Sequence, residues 1–285
     1  MTNHASRFLP LRPAFTPLSS AYDVSGMLSL KISAHALHKA GTETCLYEDA
    51  FAFDEAAGRA AVADGASDAF EAGVWARLLV ATYVHAPPTP RAFLEWLQSP
   101  ARAWSATLNW AALPWYAEEK ARTVGGLATL LGFSLDEVSN GDSKTTSWRA
   151  IAVGDTCLLH VRKHEVLMRF PIENAEAFST TPALLSTRLQ HDKSMLEDGG
   201  LHHYGGTCQA GDLFLLSTDA MAEWLYSLAE LDDLKLSWES VSTLIEEDFE
   251  GLIEELRTQS IIRNDDVTLL VLRVAENGET YKRKT

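Results

Sequence analysis

Ala60-Ala61-Val62-Ala63-Asp64-Gly65-Ala66-Ser67 is the stretch on which the reading of this chain turns. Small apolar residues run straight into an aspartate, a glycine and a serine. A short buried strand therefore ends in an acid and a turn, and Ser67 or Asp68 starts a helix. Asp-Gly alone marks little, because it is among the commonest turn pairs. Moving outward, however, similar junctions recur. Glu48-Asp49 opens the run Ala50-Phe51-Ala52-Phe53. Gly154-Asp155 separates Trp148 to Val153 from Cys157 to Val161. Asp219 follows Leu213 to Leu216, and Asp265-Asp266 precedes Val267 to Val274. Carboxylates delivered to strand ends from across a chain can converge on hard divalent cations, which prefer oxygen donors to histidine and cysteine.

The chain has 285 residues, 46% of them hydrophobic, enough for a sizeable core. It carries no linker-like tract. One domain over residues 21–285 is expected, preceded by a poorly ordered arm over residues 1–20, because apolar periodicity starts only at Met27. A formal charge of −15 argues against nucleic acid and anionic membranes as partners. No run of 18 apolar residues or signal-peptide layout is present. Cys45, Cys157 and Cys208 are scattered, without metal-ligand spacing, which fits a reduced cytoplasmic setting.

Met27 to Leu37 alternates as a strand, and 50–53 with 60–63 makes a hairpin around Asp54 to Gly58. A helix follows, with Phe70, Val74, Leu78 and Leu79 on its apolar face, stopping near Pro87-Pro88. Trp96, Trp104, Trp110 and Trp115 are expected to pack into the core. Leu127 to Leu135 reads as one buried strand. Phe170 to Tyr204 lacks periodicity, as lids and surface excursions do. Met221 to Leu228 reads as a short helix. Val241, Leu244, Ile245, Phe249, Leu252, Ile253 and Leu256 trace a longer one. Strands and helices do not alternate as βαβ units, so the expected class is α+β, with antiparallel sheets and helices packed outside.

The ordered set Glu48-Asp49-Ala50-Phe51, Val62-Ala63-Asp64-Gly65-Ala66-Ser67, Ala152-Val153-Gly154-Asp155-Thr156, Ser217-Thr218-Asp219-Ala220 and Asn264-Asp265-Asp266-Val267-Thr268 closely resembles the metal-dependent serine/threonine protein phosphatases of type 2C. The resemblance runs from about Leu28 to Val274. It implies a four-layer α-β-β-α sandwich of two antiparallel sheets flanked by helices, with two Mn²⁺ or Mg²⁺ ions at one end. Asp64 would bridge them. The Gly65 carbonyl would bind one, and Asp219 and Asp265 the other. Glu48 and Asp49 would hold metal-bound waters, Asp49 orienting the attacking one. Asp155 would lie near a third, weaker site. The implied activity is hydrolysis of phosphoserine and phosphothreonine in a phosphorylated protein, opposite a cognate Ser/Thr kinase, by a cytoplasmic monomer engaged in signalling. The 170–204 stretch would include a flap beside the site.

The pattern departs from the family in places. The arginine that members carry just before the acidic pair is missing from Gly41 to Tyr47, and Lys39 lacks the planar fork of a guanidinium. Ala220 and Ala66-Ser67-Asp68 replace glycines, and the histidine of eukaryotic members in that turn is absent. His202 and His203 are candidates for donating the leaving-group proton. Two alternatives stay open: a regulatory binding module that keeps the fold without catalysis, and a phosphatase of small phosphorylated metabolites.

Overall fold

A computed structural model describes residues 28–41, 47–140, 143–178, 181–230 and 238–276. The arm expected over residues 1–20 and Cys45 lie outside this set. Among the described residues twelve strands and six α-helices alternate irregularly. The strands are β1 (Leu28–Leu37), β2 (Ala50–Asp54), β3 (Arg59–Ala63), β4 (Leu127–Ala128), β5 (Leu130–Asn140), β6 (Ser143–Val153), β7 (Cys157–Arg162), β8 (Glu165–Phe170), β9 (Leu185–Ser186), β10 (His202–Thr207), β11 (Asp212–Ser217) and β12 (Val267–Glu276). The helices are α1 (Ala72–His85), α2 (Phe93–Thr107), α3 (Trp115–Thr123), α4 (Leu189–Met195), α5 (Asp219–Glu230) and α6 (Trp238–Thr258).

Two five-stranded sheets form, ordered β1-β12-β11-β7-β8 and β10-β6-β5-β3-β2, and every pairing within them is antiparallel. Strand alternation divides their side chains among three cores. Leu158, Phe214, Leu216, Leu270 and Leu272 of the first sheet meet Val62, Leu131, Phe133, Trp148 and Ala152 of the second, which is the filling between sheets. The outward neighbours Leu159, Leu215, Leu269 and Val271 pack under α5 and α6 through Met221, Leu225, Ile245 and Ile253. On the far side Ala61, Ala63, Leu130 and Ile151 pack under α1 and α2 through Trp75, Leu79, Tyr83, Phe93 and Leu97. Helix, sheet, sheet, helix is the layering, as expected.

Some local expectations need correction. The helix expected to start at Ser67 or Asp68 begins only at Ala72, after Phe70. The buried face of α1 is Trp75, Ala76, Leu79, Val80 and Tyr83, whereas Val74 and Leu78 are only partly covered. Two neighbouring sectors of that helix are apolar, and contact with the sheet chooses between them. Leu127 to Leu135 is two strands, because Thr129 turns aside to hold Asp64. β4 leaves the main sheet and pairs with β9, which ties down the middle of the 170–204 stretch. β10, with the sequence His-His-Tyr-Gly-Gly-Thr, carries little apolar signal and forms on the pairing offered by β6, while β8 pairs with β7. Trp104 is buried and Trp96 packs edge-on to Tyr83, but Trp115 is 76% exposed. Cys157 and Cys208 are free and buried.

Candidate active site

Each acidic residue owes its position to the end of a strand. Asp64 leaves β3 and is clamped by Thr129, whose Oγ1 accepts the Asp64 N–H at 3.0 Å and whose N–H donates to the Asp64 carbonyl at 2.8 Å. Gly65 follows where the chain is most crowded. A Cβ there would stand 2.7 Å from the Glu48 carbonyl oxygen and 3.0 Å from the Ala72 carbonyl carbon, so only glycine lets three segments meet. Gly154 turns the chain from β6 to β7 with φ of +93°, and a Cβ there would lie 2.6 Å from Thr129 Cγ2. That turn presents Asp155. Asp219 is the first residue of α5, immediately after β11 and Thr218. Asp265 and Asp266 precede β12, in a loop held by Arg257, whose Nη2 donates to the Asp265 carbonyl at 2.6 Å.

These junctions face one pocket of about 470 Å³. Glu48, Asp64, Gly65, Asp155, Asp219, Asp265 and Asp266 line it, together with Ser67, Asp68, Thr129, Thr181, Pro182, Leu184 and Arg263. Asp49 is the exception among the expected site residues. It is 2% exposed and lies behind the pocket wall, where its Oδ2 accepts hydrogen bonds from the hydroxyls of Thr218 (2.9 Å) and Thr268 (2.8 Å). With the Thr268 proton committed to Asp49, the Tyr47 hydroxyl donates to Thr268. Glu48 stands at the pocket itself, and its carboxylate accepts the Ser67 hydroxyl. Asp266 has a different task. Its two oxygens accept the backbone N–H groups of Lys39 (2.9 Å) and Glu48 (2.8 Å), which positions the acidic pair against β12.

Electrostatics mark the cluster as unsatisfied. Burial raises Asp64 well above the usual carboxylate range, and the charges of Asp49, Asp219, Asp155 and Asp265 raise it further. Burial and Asp219 push Asp155 up to about 7, partly opposed by Arg263. Burial pushes Asp49 up to about 8, against the pull of its two threonine hydroxyls. Among the described residues no donor or cation engages the Asp64 carboxylate. The donor set is all oxygen and carries excess negative charge, which suits hard divalent cations. Among the described residues no three acidic, histidine or cysteine side chains already stand at ligating spacing. Repulsion among the acids works against such an approach, and Arg263 pairs with Asp219, Nη2 to Oδ2 at 2.9 Å. The donor chemistry fits divalent cations; their binding requires these side chains to draw in.

Sequence reasoning gave no separate role to the residues that brace this site. Thr129, Thr218, Thr268, Tyr47 and Asp266 fix the carboxylates, and each lies beside or across a strand from an acid. Thr218 and Thr268 stand within the quoted motifs, yet only the pairing of β11 with β12 shows that both reach Asp49. Arg263 had no signal at all, being one arginine in a loop. His202 and His203 lie exposed on the edge strand β10 and do not line the pocket. The 170–204 stretch does reach it, through Thr181, Pro182 and Leu184.

The chain matches no protein-family model and no curated protein. Solved structures do match. One is the photosystem II phosphatase PBCP, 19% identical, with 87% of this chain and 99% of that chain covered at a TM-score of 0.54. Another is the catalytic domain of the serine/threonine protein phosphatase PstP in complex with two manganese ions, 17% identical, with 87% and 100% covered at 0.53. The fold is that of the PPM-type phosphatases. A bacterial serine phosphatase, 12% identical with 88% and 99% covered, superposes equally well at 0.53. The phosphatase fold thus accounts for nearly all of each relative and for the described span of this chain. Among the described residues no helix is long and apolar enough to cross a membrane.

Proposed function

We propose that this protein is a metal-dependent phosphoprotein phosphatase acting on phosphoserine and phosphothreonine. One observation carries the reading: Asp64, Asp155, Asp219 and Asp265, from four separate strand junctions, share one pocket in which burial and mutual repulsion leave Asp64 without a counter-charge. Asp64, the Gly65 carbonyl, Asp219 and Asp265 would hold two Mn²⁺ or Mg²⁺ ions, with Asp155 beside a third, weaker position. Such a pair makes hydroxide available near neutral pH and neutralises charge on the phosphoryl group. The chain's own contribution is orientation and exclusion. Glu48, steadied by Ser67, faces the pocket as a water-binding carboxylate. The two threonine hydroxyls occupy Asp49 Oδ2, which leaves Oδ1 to align a water from behind. No cysteine or serine nucleophile is required.

Hydrolysis of p-nitrophenyl phosphate in EDTA, Mg²⁺ or Mn²⁺, by wild type and Asp219→Asn, tests this reading. Activity that needs metal and is lost in the variant supports it. A folded wild type that binds no metal sinks it. A second reading, the fold kept as a regulatory binding module, is favoured by the Arg263–Asp219 ion pair, which already neutralises one of the proposed ligands. That reading predicts phosphoprotein binding without turnover. A panel of small phosphate esters set against phosphopeptides separates a protein substrate from a metabolite.

A further inference from the structure

Arg263 is the one lysine or arginine among the described residues that line the pocket. Its guanidinium faces an otherwise acidic wall, with Asp155, Asp219 and Asp265 within its field. A single cation can serve such a wall merely as a counter-charge for Asp219. Three features point further. First, the side chain is half exposed, at 51% accessibility, so a ligand in the pocket can reach it. Second, it is already aimed: Nε lies 3.3 Å from Glu223 Oε2 while Nη2 donates to Asp219 Oδ2. Those contacts occupy one forked edge of the guanidinium. Nη1 makes no hydrogen bond or ion pair among the described residues, and with the second Nη2 hydrogen it leaves the other fork available. Third, a planar fork of this kind matches two oxygens of a phosphate monoester. An acidic pocket with no cation would repel that dianion.

On the reading that the pocket hydrolyses phosphate esters, we propose that Arg263 is its phosphate-binding residue. It reaches the substrate from the loop before β12, and Glu223 on α5 steers the guanidinium. No such residue stands ahead of Glu48 in Gly41 to Tyr47, so the grip on phosphate comes from the opposite end of the chain.

The test uses the full chain saturated with Mn²⁺ and compares wild type, Arg263→Gln and Arg263→Lys. Calorimetry with inorganic phosphate reads binding without turnover, and a phosphoserine peptide reads KM against kcat. We expect Arg263→Gln to weaken phosphate binding and raise KM by about tenfold or more while kcat changes much less. Arg263→Lys should recover only part of the loss, because its ammonium keeps the charge without the fork. Glu223→Gln should raise KM in the same direction by a smaller factor. Unchanged phosphate affinity in a folded Arg263→Gln protein, with altered Mn²⁺ affinity, overturns the assignment and leaves Arg263 a counter-charge of Asp219. Wild type that binds Mn²⁺ and phosphate but turns over no phosphate ester removes the phosphatase reading alone, since calorimetry still scores Arg263. Wild type that binds no Mn²⁺ overturns both.

Discussion

At the scale of single residues, the structure separates acids that are short of partners from one that is fully served. Asp212, at the head of β11 and buried beneath the inter-sheet core, accepts from Arg162 through both oxygens at 2.7 and 2.8 Å, from His160 at 3.0 Å and from the Gln209 N–H at 3.1 Å. Burial alone would raise its pKa. The hydrogen bonds of Arg162, His160 and Gln209 outweigh burial and hold it at about 2, below the ordinary 3.8. Because the folded value is depressed, this group stabilises the fold above its ordinary pKa and loses that contribution as the pH falls from about 4 toward 2. Asp212→Asn should therefore cost about 3 to 5 kcal/mol at neutral pH, as expected when one partner of a buried ion pair is removed. Its stability should also fall less steeply with acid. Urea melts of both proteins at several pH values decide the point, and parallel pH profiles would contradict it. Asp64 is the opposite case. It is a carboxyl whose folded pKa is raised, so its charge costs stability as the pH climbs past its ordinary value. In metal-free protein at neutral pH, Asp64→Asn should raise Tm, and the rise in Tm that Mn²⁺ is expected to give wild type should vanish in the variant. A fall in metal-free Tm would show that Asp64 is not repelled by its neighbours.

At the scale of elements, helix seats and helix breaks make separate predictions. Gly132 in β5 lies under Tyr83 of α1, where a Cβ would come within 2.1 Å of the ring. Gly132→Ala forces α1 off the sheet that carries Asp64, and should cost about 1 to 3 kcal/mol by overpacking. Chemical denaturation measures it, and a neutral result would mean that Tyr83 can swing aside. In α6 the backbone breaks at Asp248, with φ of −149° and ψ of 64°. Its Oδ1 accepts the Gly251 N–H at 3.1 Å, so Asp248 caps the second half of the helix. Asp248→Ala should cost about 1 kcal/mol, whereas Asp248→Asn should be close to neutral. The apolar stripe from Val241 to Leu256 foretold one continuous helix. The cap accounts for the break, and Leu244 falls outside the buried face with 48% exposure.

At the scale of the molecule, the acids are collected by closing two sheets into a sandwich. β3 and the β6–β7 turn bring Asp64 and Asp155 to one end, and β11 and β12 bring Asp219 and Asp265 to the same end. The sandwich core is filled by apolar side chains, among them Leu131, Phe133, Phe214 and Leu270, which hold the sheets together by burial. If the proposed function holds, removing divalent cations with EDTA should abolish activity, while the far-ultraviolet circular dichroism stays native because the core does the holding. Loss of secondary structure on chelation would show instead that the ions hold the sheets together.

Much of this was legible in the sequence, because it is encoded locally. Alternation of apolar residues identified β1, and short apolar runs between turns identified β2, β3, β7, β11 and β12. Acids at strand ends identified Asp64, Asp155, Asp219 and Asp265 as one set, and Glu48 beside them. Strand-end position survives folding, whatever the neighbours turn out to be. The sequence could not supply what depends on contact across the chain. Only the sheets decide that Asp49 retreats behind the pocket under Thr218 and Thr268, and that Asp266 pins the backbone at Lys39 and Glu48. They also decide which face of α1 is covered, and that Arg263 stands among the acids. Each depends on residues far apart in the chain becoming neighbours, and only the tertiary fold fixes which of them meet.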